Sequence, residues 1–263
     1  MESGKKRRLR RIFRNDNRTV IVPMDHGVTI GPVEGIVNMQ HIISKLLDGN
    51  VDAVVINRGI AKNVYTGNAG LIVHLSGITV HCPDPNNKVQ IGSVADAVRL
   101  GADAVSVHVN MGAKEEAKML STMGKVACEC DDFGMPLLAM MYPRGPNIKD
   151  PHAADVVAHA ARLGAELGAD IIKTNYTGDV ESFKEVVDSC LVSVIIAGGP
   201  KAETARDVLQ MVKDSVTAGG SGLSIGRNVF QHEDPAKMVK ALSAIVHKDL
   251  PVSEAMKILG ESK

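Results

Sequence analysis

Tryptophan is absent from these 263 residues, and all aromatic residues together make up only 3%. Modules that stack nucleic-acid bases on aromatic side chains have little material to work with here. Net charge is absent as well: Lys+Arg and Asp+Glu both number 30, so no global field draws the chain toward a polyanion. No apolar run approaches the about 20 residues that cross a bilayer, so no membrane span is expected. The charged N-terminus also lacks the apolar core of a signal peptide. Cysteine is sparse, with four residues at Cys82, Cys128, Cys130 and Cys190. Cys128-Glu129-Cys130 falls inside a helical pattern, and no second pair or His cluster completes a metal site. The expectation is free buried thiols, no metal and a reducing, cytoplasmic compartment.

One charge cluster stands out locally, Lys5-Lys6-Arg7-Arg8-Leu9-Arg10-Arg11. A nucleic-acid arm would need neighbouring aromatics or a wider basic face. Residues 1–18 are read instead as a solvated helical extension that caps a single domain spanning 1–263, or contacts another subunit.

Hydrophobic residues form 44% and charged residues 23% of the chain, the usual balance of a globular core and surface. Short Val- and Ile-rich runs alternate with longer amphipathic segments. Eight strands are expected at Thr19–Pro23, Ala53–Asn57, Leu71–Leu75, Ala104–His108, Leu137–Met141, Asp170–Thr174, Val192–Ala197 and Gly222–Ile225. Between them lie helical patterns such as Ala113–Phe133, Ala153–Leu167 and Thr204–Ala218. Continuous apolar runs of this length suit strands buried on both faces of a parallel sheet. Several are introduced by one junction, Gly49-Asn50-Val51-Asp52, Gly101-Ala102-Asp103 and Gly168-Ala169-Asp170. There a left-handed Gly is expected to end a helix and turn the chain into the next strand. An open doubly wound sheet would carry a Gly-rich turn after its first strand, where this chain has Pro23-Met24-Asp25-His26-Gly27. Eight units favour closure into an α/β, (β/α)8 TIM barrel.

In such a barrel the chemistry sits at the C-terminal ends of the strands. Lys173 ends an apolar strand, where partial desolvation favours a neutral, nucleophilic amine. Position alone leaves two readings, that nucleophile or a lysine paired with a carboxylate at the barrel mouth. Gly198-Gly199 after the seventh strand and Gly226-Arg227 after the eighth match a phosphate site of loop N–H groups and a short helix N-terminus. Tyr142, with Pro143 and Arg144 behind it, reads as a phenol aimed into the mouth or as core packing. Asp25 is a helix cap or a catalytic carboxylate, and the following glycines at 27, 31 and 35 allow close backbone approach to a ligand. His26 and His108 are ligands, proton carriers or structural histidines. His74 and His81 have no evident partner.

The set Val22-Pro23-Met24-Asp25-His26-Gly27, Met141-Tyr142-Pro143-Arg144-Gly145, Ile172-Lys173-Thr174, Ala197-Gly198-Gly199-Pro200 and Gly226-Arg227-Asn228 resembles the archaeal-type class I fructose-bisphosphate aldolase family. The resemblance runs from about Leu9 to Glu254, in matching order and spacing. It implies a metal- and cofactor-independent enzyme with Lys173 as Schiff-base lysine, Tyr142 as proton donor and Asp25 as proton acceptor. Substrate would lie against Asp25, His26, Gly27, Val28, Thr29, Tyr142, Pro143 and Arg144, with its phosphate on Gly198, Gly199, Gly226 and Arg227. Aldolases of the family tend to carry an aromatic residue, often Trp, just before the tyrosine motif. Met140-Met141 stands there instead, which is similar to a transaldolase-like branch of the family. That branch moves a carbon fragment from 6-deoxy-5-ketofructose 1-phosphate to L-aspartate semialdehyde, on a route to aromatic amino acids. Cleavage of fructose 1,6-bisphosphate is the alternative, and a silent sugar-phosphate-binding barrel a more remote one. The resemblance also implies a homo-oligomer, a ring of five or a stacked pair of rings.

Overall fold

The computed structural model describes residues 3–199 and 201–260. Eight parallel strands close into a barrel: β1 (Thr19–Pro23), β2 (Ala53–Asn57), β3 (Gly70–His74), β4 (Ala104–Met111), β5 (Leu137–Pro143), β6 (Ile171–Thr174), β7 (Ser193–Ala197) and β8 (Gly222–Ser224). Each strand pairs with its chain neighbours, and β8 closes on β1 through Thr19↔Gly222 and Ile21↔Ser224. Helices fill the crossovers, including Glu116–Phe133, Ala154–Glu166 and Ala205–Thr217. The expected α/β barrel is the fold observed.

Side chains alternate between two hydrophobic layers, as the period of two along a strand requires. Val20, Val22, Val54, Ile56 and Ile172 face the helices. Ile21, Ala53, Val55, Ile72, Leu138, Met140 and Ile171 fill the interior. The same alternation carries Tyr142 inward after Leu138 and Met140, and Lys173 inward two residues after Ile171. Register sets Met140 opposite Lys173, so Tyr142 stands one inward step nearer the mouth.

The strand-entry junctions show why their aspartates recur. Asp52, Asp103 and Asp170 each accept a hydrogen bond from a backbone N–H of the preceding strand region, at Val20 (2.7 Å), Leu71 (2.9 Å) and Leu137 (2.9 Å). Each also meets one cation from the N-terminal segment: Arg14 on Asp52, Arg11 on Asp103 at 2.6 Å, Lys5 on Asp170 at 3.2 Å. Ile12, 1% exposed, plugs the base of the interior layer. Lys5 and Arg11 of the basic run, with Arg14 beyond it, are thus matched to the barrel floor. Most of the run lies in the short helix Ser3–Leu9.

Three details differ from expectation. Gly101 and Gly168 are left-handed, but at the first junction Asn50 takes that role (φ 64°) while Gly49 has φ −79°. Gly49 is needed for space, since a Cβ there would lie 2.7 Å from the Val239 side chain. Cys128 is exposed; among the free thiols Cys130 is the buried one, its pKa pushed up to about 12 by burial. An antiparallel ribbon pairing Ser76–Gly77 with Val89–Gln90 sits beyond β3. Among the described residues, no helix is long and apolar enough to cross a membrane.

Candidate active site

A cavity of about 270 Å³ opens at the C-terminal ends of the strands. Asp25, His26, Thr29, Tyr142, Arg144, Lys173, Gly198, Gly199, Gly226 and Arg227 all line it. The strand-end reading and the family resemblance together named these ten, and the fold brings them into one cavity. Gly27 and Val28 instead line a neighbouring apolar groove, because the helix His26–Ile30 turns them to its other side. Pro143 is buried at the end of β5, behind Tyr142. Pro200 lies outside the described residues. A larger hollow of about 640 Å³ opens at the opposite end of the barrel, where Arg11 and Arg14 are already paired with aspartates.

Lys173 is 6% exposed and forms no ion pair among the described residues. That removes the main support for a purely structural lysine. Asp25 occupies the N-cap position of the helix His26–Ile30, yet its side chain makes no cap hydrogen bond. Its carboxylate instead faces His74 Nε2 at 3.7 Å and His26 Nδ1 at 3.8 Å. Asn57 Nδ2 donates to the Asp25 carbonyl at 3.0 Å and fixes the backbone there. Burial alone would raise the Asp25 pKa; His74, His26 and Lys173 outweigh it and hold the carboxyl below its ordinary value. Burial pushes both imidazoles down, with Lys173 adding to the effect and Asp25 offsetting part of it. His74 therefore has a partner after all, and its Nδ1 meets Ser106 Oγ at 2.8 Å.

Tyr142 is 6% exposed, with Arg144 stacked on its ring at 4.7 Å and His108 meeting it edge-on at 5.0 Å. His108 Nε2 lies 2.8 Å from Asn110 Oδ1. Burial, then the positive charges of Lys88 and Arg144, hold His108 well below its usual pKa. It is a neutral ring wedged beside the phenol.

At the β7–β8 side, Gly226 precedes the short helix Arg227–Phe230. A Cβ on Gly226 would lie 2.7 Å from the Pro23 carbonyl and 2.9 Å from His26, so only glycine fits. Arg227 donates to the Gly199 carbonyl at 2.8 Å, and Asn228 Nδ2 donates to the Gly198 carbonyl at 3.1 Å. The two loops are thereby latched together. The buried Arg227 Nε and Ser224 Oγ have no hydrogen-bond partner. Both residues line the cavity, so these two polar atoms are available to a ligand between the loops. Lys88, Asn175 and Ser224 are lining residues that sequence reasoning missed.

A parallel barrel with an unpaired buried lysine, a carboxylate and a phenol at its mouth, and two latched glycine-bearing loops beside them, has the architecture of the barrel aldolases. A model of the DeoC/LacD family aldolases matches residues 19–232, and this chain belongs to that family. The 2-amino-3,7-dideoxy-D-threo-hept-6-ulosonate synthase of Halobacterium salinarum is 45% identical to it, over 97% of this chain and 96% of the relative. The 2-amino-4,5-dihydroxy-6-oxo-7-(phosphonooxy)heptanoate synthase of Streptomyces griseus is 42% identical over 91% of this chain and 89% of the relative. A solved archaeal fructose-1,6-bisphosphate aldolase, its catalytic lysine covalently bound to the carbinolamine intermediate of the substrate, superposes with a TM-score of 0.86. It is 34% identical, with 92% of this chain and 99% of that one covered.

Proposed function

We propose that the barrel is a cytoplasmic, transaldolase-like synthase that forms a Schiff base on Lys173. It makes 2-amino-3,7-dideoxy-D-threo-hept-6-ulosonate from 6-deoxy-5-ketofructose 1-phosphate and L-aspartate semialdehyde, releasing hydroxypyruvaldehyde phosphate. The observation that carries the chemistry is the unpaired, 6% exposed Lys173 amine in the same cavity as Asp25 and Tyr142. The 45% identical relative, a 2-amino-3,7-dideoxy-D-threo-hept-6-ulosonate synthase, supports the product, and the two substrates are those that the family resemblance implies.

Release of that aldehyde requires the imine at the ketone beside the methyl group, the one retained in the transferred fragment. Lys173 adds to this carbonyl, and loss of water leaves a protonated imine. The bond between the α- and β-carbons of that imine then breaks, its electrons pass into the imine as an enamine, and the hydroxyl on the β-carbon loses its proton as that carbon becomes the released aldehyde. The enamine adds to the aldehyde carbon of the semialdehyde, and hydrolysis returns the free lysine. Asp25, held ionised, is the proton acceptor, and Tyr142 the donor. Each such group contributes about 10²–10⁴-fold. Gly198, Gly199, Gly226 and Arg227 hold the substrate phosphate, so binding energy remote from the bond is converted into orientation. The same proposal includes a homo-oligomer of five or ten chains, checked by light scattering.

The test is product analysis with the ketose phosphate plus semialdehyde, run beside fructose 1,6-bisphosphate, with borohydride trapping. Wild-type enzyme is expected to gain substrate mass at Lys173 and to form the seven-carbon amino sugar acid; Lys173→Ala gains no mass and turns nothing over. An active Lys173→Ala enzyme, or a wild type left unmodified, removes the Schiff base from the mechanism. Turnover of the bisphosphate alone replaces the synthase with an aldolase.

A further inference from the structure

The cavity wall opposite the β7–β8 loops carries a second pair of cations that the mechanism above leaves without work. Lys88 and Arg144 both line the cavity, and neither forms an ion pair among the described residues. Arg144 is committed only to the ring of Tyr142. Lys88 is half-buried, and its position is fixed by the chain on both sides. Val89 pairs with Gly77 in the antiparallel ribbon, and Asn110 Nδ2 donates to the Asn86 carbonyl at 2.7 Å. Burial and the neighbouring Arg144 disfavour the charged form of Lys88, and Asp25 only partly offsets them. Two cations without an ion-pair partner on one cavity wall, Lys88 half-buried and Arg144 exposed, gain most when an anion arrives.

Resting on the proposed reaction, that charge needs an owner. The two substrates bring two anions, a phosphate on the ketose and a carboxylate on the semialdehyde. The β7–β8 loops already supply the glycines, the Arg227 guanidinium and the unpartnered Ser224 hydroxyl for the phosphate. We propose that Lys88, with Arg144, is the subsite for the carboxylate of the amino-acid semialdehyde and sets the choice of acceptor. Seated there, the semialdehyde extends its aldehyde end toward Lys173 across a cavity only about 270 Å³ in volume. A three-carbon aldehyde phosphate could present an anion to the same wall, so the test separates carboxylate from phosphate.

Lys88→Gln, Lys88→Arg and wild type are assayed with L-aspartate semialdehyde, with 3-aminopropanal (the same aldehyde without its carboxylate) and with fructose 1,6-bisphosphate against fructose 1-phosphate. Losing one charged hydrogen bond is expected to raise the KM for the semialdehyde about 10–100-fold in Lys88→Gln. The KM for the ketose phosphate and borohydride trapping of that donor at Lys173 are expected to shift far less. Wild-type preference for the semialdehyde over 3-aminopropanal should collapse in Lys88→Gln and return in large part in Lys88→Arg. A preference that survives in Lys88→Gln, or a donor KM that rises by the same factor, overturns the subsite. If wild type ignores the semialdehyde altogether, the synthase reading fails and the carboxylate assignment falls with it. A rise in the bisphosphate KM alone would then identify the wall as a phosphate site. Circular dichroism on the Gln variant checks that the ribbon and barrel remain folded.

Discussion

Asp25 is a carboxylate that the cavity keeps ionised against the pull of its own burial, and that has a measurable consequence. The charges facing it lower its pKa, so the basic form is present above a depressed pKa and is lost only as pH falls through it. The acid limb of kcat/KM that reports Asp25 is expected below the ordinary value of 3.8. His74→Gln removes the largest of the charges that lower it, so the limb should move to higher pH; a limb that stays put would show that His74 does not tune Asp25. Tyr142→Phe tests the other proposed proton carrier. Loss of the phenol should slow turnover by about 10²–10⁴-fold with ligand binding retained, and an unchanged rate would remove Tyr142 from proton transfer. At this scale the candidate site was largely legible. Lys173 stood out as a lysine ending an apolar strand and Tyr142 as a phenol ahead of Pro143-Arg144, each with a second reading that only the family resemblance closed, and Gly198, Gly226 and Arg227 came from their place after the last two strands. Lys88 was not legible, because it precedes a two-residue strand, Val89–Gln90, too short to show any period. The partner of His74 was hidden for a different reason: Asp25 lies on another strand end, and only barrel closure brings them to 3.7 Å.

The strand is the next unit, and its ends carry most of what the sequence shows and hides. Six of the eight expected strands agree with the fold to within one residue at either end, because Val- and Ile-rich runs buried on both faces have few other uses. The two exceptions, β4 and β5, run on to Met111 and Pro143. Their ladder continues through Asn110↔Tyr142 and Met111↔Pro143, past polar residues that resemble loop. At the other end, the strand-entry aspartates are structural, and unequal. Asp52 accepts from Val20 N–H, Arg14 and His247 Nε2 (2.8 Å), whereas Asp103 accepts from Leu71 N–H and Arg11. Replacing a buried acceptor leaves a backbone donor unsatisfied and a cation without its partner. Asp103→Ala is expected to cost about 2–3 kcal/mol and Asp52→Ala about 3–4 kcal/mol in urea unfolding. The reverse order would mean that the His247 contact contributes nothing.

Across the whole molecule the barrel is divided by face, with chemistry at the C-terminal rim and stability at the N-terminal floor. The segment before β1 belongs entirely to the floor: Ile12 fills the interior layer, and Lys5, Arg11 and Arg14 answer Asp170, Asp103 and Asp52. None of these residues lines the candidate active-site cavity. A chain beginning at Asn15 would leave Asp103 and Asp170 without cations and Asp52 with His247 alone, and would open the apolar floor to water. Burial of an isoleucine contributes about 1.5–3 kcal/mol. Arg11 remains 55% exposed, so its pair is screened and adds less than a buried one would. A total of about 3–5 kcal/mol corresponds to a Tm lowered by roughly 10–15 °C for a chain of this size. Because the loss falls on the far face, borohydride trapping at Lys173, measured well below the lowered Tm, should proceed as in the full chain. An unchanged Tm would show that the basic segment is not a floor plate. Loss of trapping in the still-folded truncated chain would show that the two faces are coupled through the interior layer of Ile21, Val55, Ile171 and their neighbours.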